Sequence, residues 1–110
     1  MDTVNTKKIS HPVVKAAIDA LQAGDKKAWF ALFAKHAEFY DDGRRIDFQA
    51  FFGQNLGHER FTHLDKIADG GLMIYGRFHS DQWGDFKTYF KFYLDGEDKI
   101  YKLEIGQATY

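Results

Sequence analysis

"DFKTYFKFYL", residues 85–94, is the stretch on which the reading of the fold turns. Phe86, Thr88, Phe90, Phe92 and Leu94 fall on one side of an extended chain, and Lys87, Tyr89, Lys91 and Tyr93 on the other. A period of two, with one apolar and one polar-aromatic face, describes a strand of an antiparallel sheet that buries a single side. The same period recurs on both flanks. "RFTHLDKIA" (60–68), "LMIYGRFHS" (72–80) and "KIYKLEIGQ" (99–107) read as three further strands. Turn formers separate the four: "DGG" at 69–71, "DQWG" at 81–84 and "DGED" at 95–98.

Towards the N-terminus the period changes. Pro12 suits a first helical turn, where a missing N–H costs nothing, and Val14, Ala17, Ile18 and Leu21 follow at helical spacing. Gly24 stops that helix and Asp25 caps a second over "DKKAWFALFAKH", which puts Trp29, Leu32, Phe33 and His36 on one face. "AEFYD" then reads as a strand, and Asp47 caps a short third helix with Phe48, Phe51, Phe52 and Leu56 as its apolar face. Residues 1–10 read as a flexible tail on a single domain spanning 1–110. Helices followed by a run of strands give an α+β fold.

The 110 residues suffice for one core that buries roughly two-thirds of the unfolded surface. Aromatics reach 17%, with 11 Phe, 6 Tyr and 2 Trp, and side chains that wide either fill a thick core or line a concave pocket. Fifteen Lys plus Arg against 16 Asp plus Glu leave a net charge of −1, too balanced for the basic field that nucleic-acid binding needs. No run approaches a membrane span, and "MDTVNTKKIS" lacks the apolar core of a secretory signal. There is no Cys, which excludes disulfides, thiolate nucleophiles and Cys–metal sites. The expectation is a cytoplasmic protein with neither nucleic acid nor membrane as partner.

The order of elements resembles the nuclear transport factor 2-like superfamily, which includes steroid Δ-isomerases and SnoaL-type polyketide cyclases. The residues carrying the resemblance are "ALQAGD", "LFAKHAEFYDDG" and "DKIYKLEIGQ", and it covers about residues 10 to 108. It implies a cone-shaped barrel: a strongly bent, mainly antiparallel sheet wrapped around the N-terminal helices, with a pocket at the wide end. The family's catalytic Asp matches Asp41, where "AEFYD" ends. In the isomerases that Asp moves a proton beside a carbonyl while a Tyr and a protonated Asp hold the oxyanion. Those two donors fall on Ala17 and near Phe90 here, so steroid isomerisation by that route is not expected. By the same matching Leu103, Ile105 and Gln107 face the cone, and the outer sheet face pairs two copies back to back.

Each candidate residue also has a plainer reading. Asp41 shares a strand face with Phe39, and a carboxylate in an aromatic pocket would be a general base with a raised pKa. Asp41 and Asp42 are equally ordinary turn residues before Gly43, paired with Arg44 or Arg45. Asp42, on the opposite face, is expected in solvent. Trp29, Phe33, Phe39, Phe90 and Phe92 are wall or core, and Thr88 and Gln107 are polar groups that could orient a ligand. His63 is a weaker candidate, pointing into the pocket unless its strand bends. His36 continues an apolar helix face and reads as a core histidine. His79 and Asp81 are spaced for one strand face, but flank a turn, and no metal site is assigned. Tyr75, Tyr89 and Tyr93 with Arg77 and Lys91 make the outer face the expected homodimer surface. The expected partner in the pocket is a small apolar molecule, with no cofactor. A non-catalytic binding module or a structural dimerisation domain with a filled cone is the alternative.

Overall fold

A computed structural model describes residues 4–110. Helix α1 (Pro12–Ala23) begins at the proline and ends at Gly24, whose φ of 66° is the left-handed turn expected of a C-terminal glycine. Its buried stripe is Val14, Ala17, Ile18, Ala20 and Leu21. Asp25 caps α2 (Lys26–Ala31) by accepting from the Ala28 N–H at 3.0 Å, and Asp47 caps α3 (Phe48–Asn55) by accepting from Ala50 at 2.9 Å.

Six strands form one sheet: β1 (Phe33–Asp41), β2 (Arg44–Ile46), β3 (Glu59–Ala68), β4 (Met73–Ser80), β5 (Gly84–Leu94) and β6 (Ile100–Gln107). Their order is β2-β1-β6-β5-β4-β3, and only the β1–β6 pair is parallel. The antiparallel meander β3 to β6 therefore stands as the alternation implies. Phe90 and Phe92 are 1% exposed on its inner face, while Lys87 and Lys91 lie on the outer one.

Two expectations are corrected. The second helix does not run to His36. It stops at Ala31, and "FAKH" opens β1. The Ile100 N–H donates to the Leu32 carbonyl at 3.0 Å, Phe33 pairs with Ile100, and the Phe33 ring lies 4.4 Å from Phe48 and 4.9 Å from Trp29. A helix this short is marginal by itself, so pairing with a strand 67 residues on overrides local propensity. His36 is consequently exposed, not a core histidine. At the N-terminus, residues 5–9 are not a loose tail. Asn5 caps a 3-10 turn over Thr6–Lys8, the Thr6 hydroxyl donates to Asp19 at 2.6 Å, and Ile9 is 3% exposed. Residues 1–3 of the expected tail lie outside the described residues.

The sheet bends at β3. Its register against β4 shifts between Phe61 and His63 and again between Leu64 and Lys66, and such bulges kink and twist a strand. Gly76 on β4 permits this, because a Cβ there would sit 2.2 Å from the His63 carbonyl oxygen. The concave face holds linked rings: Trp29 against Phe33 and Phe52, Phe39 against Phe51 and Phe52, and Phe61 against Phe78 and Phe90. The narrow end is thus filled. Among the described residues no helix is long and apolar enough to cross a membrane.

Candidate functional site

The opening of the cone is set by a two-residue turn. Asp42 and Gly43 have φ of 50° and 84°, the positive pair demanded by a tight hairpin of the Asp-Gly type, and Asp41 pairs with Arg44 across it. Asp42 fastens this hairpin to the end of β6. Its N–H donates to the Ile105 carbonyl at 2.9 Å and its Oδ1 accepts from the Gln107 N–H at 3.0 Å. Gly106 makes room, since a Cβ there would meet Asp42 Oδ1 at 2.9 Å and the Tyr89 ring at 2.8 Å. Asp42 is exposed, as expected, but it is also a structural tie.

Asp41, one residue earlier, is half-buried on the wall of a cavity of about 510 Å³ at the wide end. Phe51, Phe78, Phe86 and Phe90 supply apolar walls, and Trp83, 71% exposed on the β4–β5 turn, stands at the rim. Thr88, Ile105 and Gln107 complete the β5–β6 side. Burial pushes the Asp41 carboxyl above its usual range, the Asp42 charge adds to this, and Arg44 opposes it. No hydrogen-bond donor among the described residues acts on that carboxylate.

A second acid shares the cavity. Glu59, at the first position of β3, is half-buried and also pushed upward, mainly by burial, with Asp41 contributing like-charge repulsion and the Ser80 hydroxyl opposing. Glu59 carries little signal in the sequence, because it precedes the alternating run and sits beside Gly57 and His58 in a loop-like stretch. Asp47 and Asp25 show what an ordinary acid in this chain does, and Glu59 caps nothing.

Of the expected wall residues, Thr88, Phe90, Ile105 and Gln107 line this cavity. Trp29, Phe39, Phe92 and Leu103 do not; at 0–1% exposure they are packed in the narrow end beneath it. Phe33 borders a separate groove of about 490 Å³ between β1 and α3, next to His36 and Arg45. His63 is exposed on the outer face, beyond the β3 bulge, paired in register with Arg77. The bend reverses its direction, so it cannot orient a ligand in the cavity. The Thr88 hydroxyl donates to the Gly106 carbonyl at 2.6 Å and is largely committed to the sheet. Ala17 and Phe90, the positions matched to the isomerases' oxyanion donors, are both core residues.

His79 and Asp81 do share contacts. His79 reaches Asp85 Oδ1 through Nδ1 at 2.7 Å and Asp81 Oδ1 through Nε2 at 2.9 Å, while His58 Nδ1 lies 3.2 Å from Asp81 Oδ2. Hydrogen bonding to Asp85 first and to Asp81 second raises the His79 pKa, because two carboxylates favour the charged form of the ring. The network braces the turn that carries Trp83. Among the described residues no group of three His, Cys, Asp or Glu could hold a metal ion.

No protein-family model matches the chain. No curated protein matches it either. Solved structures do resemble it. A putative polyketide cyclase from Sinorhizobium meliloti superposes with a TM-score of 0.73 at 15% identity over 92% of this chain and 98% of its own. An NTF2-like protein of unknown function from Cytophaga hutchinsonii gives 0.73 at 11% identity, over 96% and 92%. The Anabaena orange carotenoid protein, solved binding canthaxanthin, gives 0.70 at 19% identity; 88% of this chain is covered but only 35% of that one, so the likeness is to about a third of the larger protein. At these identities the likeness speaks for architecture alone, and with the bent sheet, the capped helices and the cavity at the wide end it shows that this chain has the nuclear transport factor 2-like fold.

Proposed function

We propose that this chain is a small-molecule pocket protein of the SnoaL-like kind, with Asp41 as its candidate general base. The observation that carries the reading is the half-buried Asp41 carboxylate, without a hydrogen-bond donor, on the wall of an aromatic cavity of about 510 Å³. That volume lies within the usual range for ligand sites, about 300–1,000 Å³. A carboxyl with a raised pKa accepts a proton more readily, and a second such acid in reach offers the return step, as in other acid–base pairs on one site. Asp41 would take a proton from carbon, Glu59 in its protonated form would give one back, and Gln107 would orient the substrate at the mouth. No cofactor enters this scheme. The fold's precedents are a putative polyketide cyclase and a carotenoid-binding protein, both of which suit a pocket for an organic molecule.

Non-catalytic sequestration is the second reading, favoured by the absence of oxyanion donors at Ala17 and Phe90. Carboxyl-carbon NMR titration separates the two. A raised Asp41 pKa supports the base, whereas a value at or below about 3.9 rejects it. Native mass spectrometry of the freshly purified protein tests the pocket itself by detecting a co-purified organic ligand.

A further inference from the structure

The polar lining of the cavity is one-sided. Asp41, Asp42, Glu59 and Asp85 all border it, and no Lys, Arg or His does. The chain as a whole is nearly balanced, with 15 basic and 16 acidic residues, so the lining does not simply mirror composition. Two of the four acids are already answered: Asp85 meets His79 at 2.7 Å and Asp42 accepts from the Gln107 N–H at 3.0 Å. Asp41 has no hydrogen-bond donor among the described residues and Glu59 meets only the neutral Ser80 hydroxyl, so neither has a cationic partner at contact; Arg44 and His58 act on them only through space.

Those two carboxylates look across a cavity walled by aromatic rings. Phe51, Phe78, Phe86 and Phe90 present π-faces or edges, and Trp83, the best cation-binding ring, stands exposed at the rim. A neutral apolar ligand would fill the space and desolvate both acids further without compensating either. An anionic ligand would be repelled. A ligand that carries a positive charge on an apolar body satisfies both halves of the lining.

We infer that the cavity binds a small organic cation, an amine in its ammonium form with an apolar or aromatic body, its charge set between Asp41 and Glu59 and its body against Phe86, Phe90 and Trp83. This rests on the reading of the cavity as a small-molecule site, and narrows the chemistry expected of the ligand from merely apolar to cationic and apolar. Asp42 and Asp85 contribute long-range attraction at the mouth, and Arg44 on β2 marks the side from which that attraction is weakest.

The test is a matched series with one ring and three charges: 2-phenylethylamine, 2-phenylethanol and 3-phenylpropanoate. Binding to the full chain is read at about pH 8, where both acids have a stronger claim to be ionised, by calorimetry and by Trp83 fluorescence. The amine is expected to bind at least about tenfold more tightly than the alcohol, and the acid more weakly than either. In the double variant Asp41→Asn, Glu59→Gln the preference for the amine should fall below about twofold while alcohol binding persists. That persistence, with an unchanged circular dichroism spectrum, shows that the cavity has survived the substitutions. Alcohol binding equal to or tighter than amine binding overturns the cationic inference and leaves the pocket reading standing. Failure of all three probes to bind overturns both.

Discussion

Truncating Phe90 to alanine tests whether the cone is packed below and open above. The ring is 1% exposed and sits 5.0 Å from Phe61, 5.6 Å from Phe78 and 6.2 Å from Phe92. Burying such a side chain contributes about 1.5–3 kcal/mol, ring pairs add to it, and truncating a buried Phe to Ala costs about 3–5 kcal/mol. Phe90 also borders the cavity, so its void opens onto existing space and the cost should sit near the lower end, about 3 kcal/mol. Phe86 is the internal control. It is half-buried at the mouth with one ring contact, to Phe78 at 5.8 Å, and Phe86→Ala should cost about 1 kcal/mol. Urea unfolding followed by circular dichroism resolves the difference, because a gap of about 2 kcal/mol shifts the midpoint by roughly 1 M at ordinary slopes. Equal costs for the two variants would mean that the cone is filled to its mouth, and the cavity argument would fail with it.

Asp41→Asn and Glu59→Gln should each stabilise the fold at neutral pH and leave it unchanged at about pH 3. Both acids have folded pKa values above their ordinary 3.8 and 4.5, so the folded state holds extra protons in that window. Stability falls as pH rises through the window, and the penalty is constant above it; denaturant melts across pH that show no such crossover would contradict the placement. His79 has the opposite sign. Its pKa is raised from 6.5, so its contribution is full below about 6.5 and lost as pH rises through the folded value, while Asp81, lowered from 3.8, loses its share only as pH falls through its own. Trp83 fluorescence should report the loosening of that turn on the alkaline side, and His79→Ala should abolish the pH dependence. Gly76→Ala drives a Cβ against the His63 carbonyl and should cost about 3 kcal/mol by thermal melting; a neutral result would remove the β3 bulge as the source of the bend. A homodimer through Tyr75, Tyr89 and Tyr93 is expected in sedimentation at micromolar concentration, and a monomer there would reject it. Tyr110 already packs on Tyr75 at 5.9 Å and donates to Asp65 at 2.6 Å, so its deletion should alter that association.

The meander was legible in the sequence because strand alternation is local: Phe90 and Lys91 must face opposite ways whatever else the chain does. The caps at Asp25 and Asp47 and the stop at Gly24 were legible for the same reason, since each acts within one helical turn. The exposure of Asp42 followed from one Asp-Gly turn, but alternation alone would not have put both Asp41 and Asp42 on the border of one cavity. What alternation cannot supply is pairing across distance. "FAKH" carries a helical pattern, and only the hydrogen bond from Ile100 to Leu32 and the parallel run along β6 draw it into the sheet. His63 carries a strand pattern, and only the register shift over Gly76 turns it outward. Glu59 carried no signal at all. Its partner in the cavity is 18 residues earlier, across a helix, and its burial depends on how sharply the sheet curls. Which aromatics fill the cone and which leave it open is decided by that same curvature, a property of six strands together and of no segment alone.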